Sequence, residues 1–163
     1  MIGRFKFLVS INPQNKEVSG VECGGYKFLE HTADAYVEAS GRSLEEAFEN
    51  AAKAMFDIMT DISRVDREVR KEIVDEGTDL QNLLYRWLED LLIIHDSEGL
   101  VFSDFSVNIE ERNEGYRIKG YAFGEGFDPS KHPVEMEVKA VTYSLMEIKQ
   151  VGDCWVVRVV FDL

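Results

Sequence analysis

Hydrophobic and polar positions along the chain change period several times, and each change marks an element. Tyr26 to Glu30 and Ala35 to Ser40 read as two strand pieces, with "HTAD" (His31 to Asp34) between them. The period then lengthens. Leu44, Ala47, Phe48, Ala51, Met55, Ile58 and Met59 recur at helical spacing, while Glu45, Glu49, Lys53 and Asp57 take the other face. This predicts a helix from Ser43 to about Thr60, opened by Ser43 and Glu46 in capping-box spacing. "DREVRKEIVDEG" alternates through Val69, Lys71 and Ile73 and predicts a short, half-exposed strand. A wide apolar stripe of Leu80, Leu83, Leu84, Trp87, Leu88, Leu91 and Leu92 predicts a second helix, Thr78 to about His95, with Thr78 and Gln81 as its capping box.

From Leu100 onward the chain alternates in four stretches: "LVFSDFSVNIE", "YRIKGYAFGE", "EVKAVTYSLMEI" and "WVVRVVF". "RNEG", "GEGFDPSKHP" and "KQVGDC" connect them. Helices thus come together in the first half and strands in the second. The expected fold class is α+β, with two helices packed on one face of a mainly antiparallel β-sheet. Residues 1–25 stand apart. "RFKFLVSI" alternates like a strand, "NPQNKEVSG" reads as turn and loop, and "CGG" as a joint. The segment is too short to hold its own core, so the expected organisation is an N-terminal arm, 1–25, and a single domain, 26–163.

Composition narrows the class. With 163 residues and 45% hydrophobic content, the chain is long enough for one real core. No apolar run approaches the roughly 20 residues of a membrane span, and the start lacks a secretory pattern. Cys23 and Cys154 are far apart and without metal-ligand spacing, which predicts two reduced thiols in a cytoplasmic protein. Eighteen basic residues face thirty-one acidic ones, a net charge of −13. Phosphate backbones are bound by Lys and Arg that displace counterions, so this balance argues against direct nucleic-acid binding. A basic protein partner or a cation suits the surface better.

The chain carries no GxSxG, GxGxxG, P-loop or HExxH motif. What remains is a set of polar residues in unusual places. His31 and Asp34 interrupt a strand, Lys131 and His132 sit in the long loop, Lys139 and Thr142 lie in the apolar "VKAVTY" stretch, and Asp162 is next to last. Taken singly, these read as a structural histidine, solvated lysines and a solvated terminal aspartate. Yet Asp162 and the terminal carboxylate of Leu163 are adjacent hard oxygen donors. A further Asp beside them would complete a group of the kind that takes Ca²⁺ or Mg²⁺.

"FLEHTADAYVEASGRSLEEAFENAAKAMFDIMTD", "DLQNLLYRWLEDLL", "GEGFDPSKH", "VKAVTY" and the terminal "DL" occur in that order over Tyr26 to Leu163. Together they resemble the archease family. The resemblance implies a small α+β protein cofactor of the GTP-dependent tRNA-splicing RNA ligase. Such a protein promotes guanylylation of the ligase's active-site histidine and repeated turnover, and is not itself an enzyme. It also implies an alternative role, as a chaperone-like modulator of a tRNA methyltransferase. A metal-dependent hydrolase using the same carboxylates is a third reading, weakened by the missing nucleophile. The family's divalent-metal site, associated with calcium and open to Mg²⁺ or Mn²⁺, carries over to Asp34, Asp162 and Leu163. His31 would orient that site or meet the partner, and Lys131, His132 and Lys139 would serve partner-related roles. In one departure, Ser144 stands where relatives commonly have histidine after Thr-Tyr, so no histidine is required there.

Overall fold

The structure, a computed structural model, describes residues 23–30 and 33–163. The strand expected in "RFKFLVSI" and the position of His31 lie outside the described residues. The strands are β1 (Gly25–Leu29), β2 (Ala35–Gly41), β3 (Val69–Gly77), β4 (Leu100–Arg112), β5 (Gly115–Gly126), β6 (Ala140–Val151) and β7 (Cys154–Asp162). The helices are α1 (Leu44–Met59) and α2 (Leu80–Glu98). Among the described residues every strand pairing is antiparallel, and the fold is α+β as the periodicity predicts.

The strands divide between two sheets, ordered β1-β2-β7-β6 and β3-β5-β4. The two hairpins of the second half therefore part. One joins β3 and the other joins β2. Alternation reveals which residues of a strand face inward, but not which strand lies beside it. Each helix touches both sheets. α1 packs on β2 and β7 of the first and on β4 of the second, and α2 packs on β3 and β5 of the second and on β6 of the first. Trp87 on α2 is fully buried and donates its indole N–H to the Phe48 carbonyl of α1 at 3.1 Å, which fixes one helix against the other. Gly120 of β5 leaves room for that ring, since a Cβ there would stand 2.6 Å from Trp87 Cζ3.

Both helix starts use the same device. Ser43 Oγ accepts from Glu46 N at 3.0 Å, and the Glu46 carboxylate accepts from Arg42 N at 2.9 Å. In α2 the cap is Asp79 rather than the expected Thr78. Its carboxylate accepts from Asn82 N at 2.7 Å, and Asn82 Oδ1 accepts from Thr78 N at 3.1 Å. An ionised carboxylate is the stronger acceptor for a helix N-terminal amide, so the box moves one residue along. α2 also runs past His95 to Glu98, where Gly99 ends it with a φ of 68°.

Cys23 and Cys154 are joined in a disulfide, and the expectation of two reduced thiols is corrected. They lie 131 residues apart in the chain, and the order β1-β2-β7 brings their strand starts together. A cross-link closing so long a loop removes much of the unfolded chain's freedom. β6 carries a further irregularity. Thr142 faces Val160 and Glu147 faces Arg158, so Tyr143 to Met146 bulge opposite Val159 alone. Tyr143 stacks on Tyr85 of α2 with ring centroids 4.4 Å apart, and its hydroxyl accepts from Asn82 Nδ2 at 2.9 Å. Among the described residues, no helix is long and apolar enough to cross a membrane.

Candidate metal centre

Alternation along the four-stranded sheet places its end residues. Ala35, Val37 and Ala39 of β2 and Val157, Val159 and Phe161 of β7 are buried against the helices. The intervening residues face away, and there the cross-strand pairs Lys27–Glu38 (3.2 Å), Glu38–Arg158 (2.8 Å) and Arg158–Glu147 (3.3 Å) run through all four strands. Ala35 stands opposite Phe161. Asp34 immediately precedes the first and Asp162 immediately follows the second, so both acids occupy the same end of the β2–β7 ladder. Asp34 is half-buried and Asp162 exposed. Leu163, directly after Asp162, packs its side chain against the core.

The third strand closes the same end. Ala140 pairs with Asp162, and the Lys139 N–H donates to the Asp162 carbonyl at 2.8 Å. Lys139 thus lies just outside β6 rather than within a strand. It is exposed, and its ammonium has no ion-pair partner among the described residues. Asp34 and Asp162 are both oxygen donors. Among the described residues, no lysine or arginine pairs with either aspartate. Hard divalent cations take ligands of this chemistry.

A second acidic group differs in kind. Carboxylate oxygens of Asp66, Glu68 and Glu125 lie within 4.8 Å of one another. By proximity alone they would suit a metal, but the protein supplies their cation. Lys131 Nζ donates to Asp66 Oδ2 at 2.6 Å and to Glu125 Oε2 at 2.7 Å. The Asp66 N–H donates to the same Glu125 oxygen at 2.7 Å. His132 is fully buried. It accepts from Asp128 N at Nδ1 (2.9 Å), so in the neutral ring Nε2 carries the proton and donates to Glu125 at 3.1 Å. These bonds, led by that from the Asp66 amide, hold the Glu125 carboxyl down at about 2. Hydrogen bonds to Asp66 and Glu125 raise Lys131 to about 12.

The structure thus keeps Lys131 and His132 together, as a clasp on the loop between β5 and β6 that grips Glu125 at the end of the second sheet's ladder. Glu125 and Asp66 escaped the sequence reading. Glu125 precedes Lys131 by six residues within "GEGFDPSKH", a local signal that could have found it. Asp66 lies 65 residues before Lys131 and gave none.

The profile of the archease protein family matches residues 26–163, nearly the whole described chain. The chain belongs to the archease family. It is 49% identical over 138 residues to the protein archease of Sulfurisphaera tokodaii, covering 85% of this chain and 98% of that one. It is 51% identical over 144 residues to the protein archease of Aeropyrum pernix, covering 88% and 100%. Among solved structures, it resembles Methanobacterium thermoautotrophicum protein 1598 with a TM-score of 0.77 at 44% identity, covering 85% of this chain and 99% of that one. A Thermotoga maritima archease described as a possible chaperone shares the fold, with a TM-score of 0.54 at 23% identity over 82% and 94% of the chains.

Proposed function

We propose that this archease-family protein is a non-catalytic cofactor of the GTP-dependent tRNA-splicing RNA ligase, which it helps to become guanylylated and to turn over repeatedly. The observation that carries this reading is the convergence of three strand ends, which sets Asp34, Asp162 and the Leu163 carboxylate beside the exposed Lys139. In this reading Asp34, Asp162 and Leu163 hold a divalent cation, calcium in the first place. A bound ion of that kind supplies concentrated positive charge at an otherwise anionic end. The protein's own residues do the rest. The β2–β7 ladder holds the two aspartates in register, and the Lys139 amide fixes the Asp162 backbone. The free Lys139 ammonium offers a donor to an acidic or phosphate group of the partner. A net charge of −13 suits a partner whose surface is basic because it handles RNA.

The test is self-guanylylation of the ligase with GTP, with and without the protein. The expected result is faster and more complete guanylylation, lost with Asp162→Asn. An unchanged ligase, together with a tRNA methyltransferase that gains solubility or specificity in the protein's presence, would support the alternative role instead.

A further inference from the structure

Beside the candidate metal centre lies a cleft of about 350 Å³. Its walls are mostly apolar, with Met59 at the end of α1, Phe127 after β5, and Val134 and Val138 from the segment leading into β6. That segment ties the cleft to the ladder end. Its Met136 N–H donates to the Ile58 carbonyl at 3.2 Å, and three residues later Lys139 N–H holds the Asp162 carbonyl. Three residues of extended chain span about 10 Å, so the Met136 wall of the cleft lies within that reach of Lys139 at the ladder end. Val134 is 71% exposed, an apolar side chain left open to solvent at the cleft's edge.

The polar groups of the cleft are of one kind. Asp96 and Glu137 are exposed carboxylates with no ion-pair partner among the described residues. His95 lies within hydrogen-bond reach of the Leu100 carbonyl through Nδ1 at 2.8 Å, so in the neutral ring Nε2 is left as an acceptor. An occupant must therefore combine an apolar body with a cationic, donor-only head. Arginine does so, because its stem packs on apolar walls and its guanidinium presents a fork of donors to carboxylates.

We propose that this cleft is a docking pocket for an arginine side chain of the partner protein. Naming the RNA ligase as that partner rests on the reading above, and the pocket chemistry does not. Two experiments separate them. In the first, the protein alone is titrated with N-acetyl-arginine methylamide while methyl NMR signals of Met59, Val134 and Met136 are followed. Saturable shifts are expected with this probe, absent with the uncharged N-acetyl-norleucine methylamide and absent in Glu137→Lys. Equal shifts with both probes, or none with either, overturn the pocket.

In the second, ligase affinity is measured for Asp96→Lys and Glu137→Lys, with Glu110→Lys on the remote face of β4 as the charge control. Each cleft variant is expected to lose roughly tenfold in affinity, and the control to lose nothing. An equal loss in the control, or no loss in the cleft variants, overturns the proposal. Failure of the unmodified protein to bind or stimulate the ligase contradicts the ligase reading, and the probe titration then decides the pocket by itself.

Discussion

Two groups of carboxylates in this molecule have opposite internal arrangements. Asp66, Glu68 and Glu125 crowd together around Lys131, whose ammonium contacts two of them, with His132 bonding to Glu125 from the buried side. Asp34 and Asp162 flank one ladder end by register, and among the described residues no cationic side chain pairs with either. Crowded acids need compensation, because like charges raise the free energy of the folded state until a cation joins them. The first group receives it from the chain. In the reading proposed above, the second would receive it from solution.

The largest effect is expected at Lys131. Replacing it with alanine leaves Asp66 and Glu125 without their ammonium, and the melting temperature should fall by several degrees in EDTA. The vacated acids should then respond to calcium, recovering part of the loss. Scanning calorimetry with and without the ion checks this. A Lys131→Ala protein that melts like the parent would show that the clasp contributes nothing.

The acid limb of stability sharpens the same contrast. Glu125 titrates at about 2 in the fold against 4.5 ordinarily, so its contribution is complete above about pH 4.5 and is lost as pH falls toward 2. Glu125→Gln should lower the melting temperature at pH 7 and flatten its fall between pH 4.5 and 2. Parallel pH profiles for parent and variant would contradict the assignment.

A smaller effect is expected at Lys139. Its side chain is exposed and unpaired among the described residues, and only its backbone amide bonds to Asp162. Lys139→Ala should leave the melting temperature within about a degree of the parent, as for surface changes generally. Stimulation of ligase guanylylation should nevertheless decline. Loss of stability with normal stimulation would make Lys139 structural.

How much of this was legible in the sequence depends on the distance over which each feature is encoded. The apolar stripes of α1 and α2 are local, and so are their extents to within a few residues. The Thr78 cap failed because Asp79, its neighbour, binds the helix amide more strongly, a competition that spacing alone does not rank. The division into two sheets, the Cys23–Cys154 bond and the Asp66–Lys131 contact all join residues far apart in the chain. No periodicity records such pairs. Asp34 and Asp162 stood out because each adjoins a well-patterned strand. Their shared ladder end follows only from the register that sets Ala35 opposite Phe161.

Calcium titration calorimetry on the metal-free protein tests most directly whether Asp34, Asp162 and the Leu163 carboxylate hold a cation, as proposed. The measurement compares the unmodified chain with Asp34→Asn, Asp162→Asn and a protein extended by a few residues after Leu163. The extension is the discriminating variant, because it turns the terminal carboxylate into a peptide carbonyl and alters no side chain. One calcium per chain should bind the unmodified protein, with a rise in melting temperature by mass action, and all three variants should bind markedly more weakly. Equal binding by the extended protein and by both aspartate variants would contradict the metal centre.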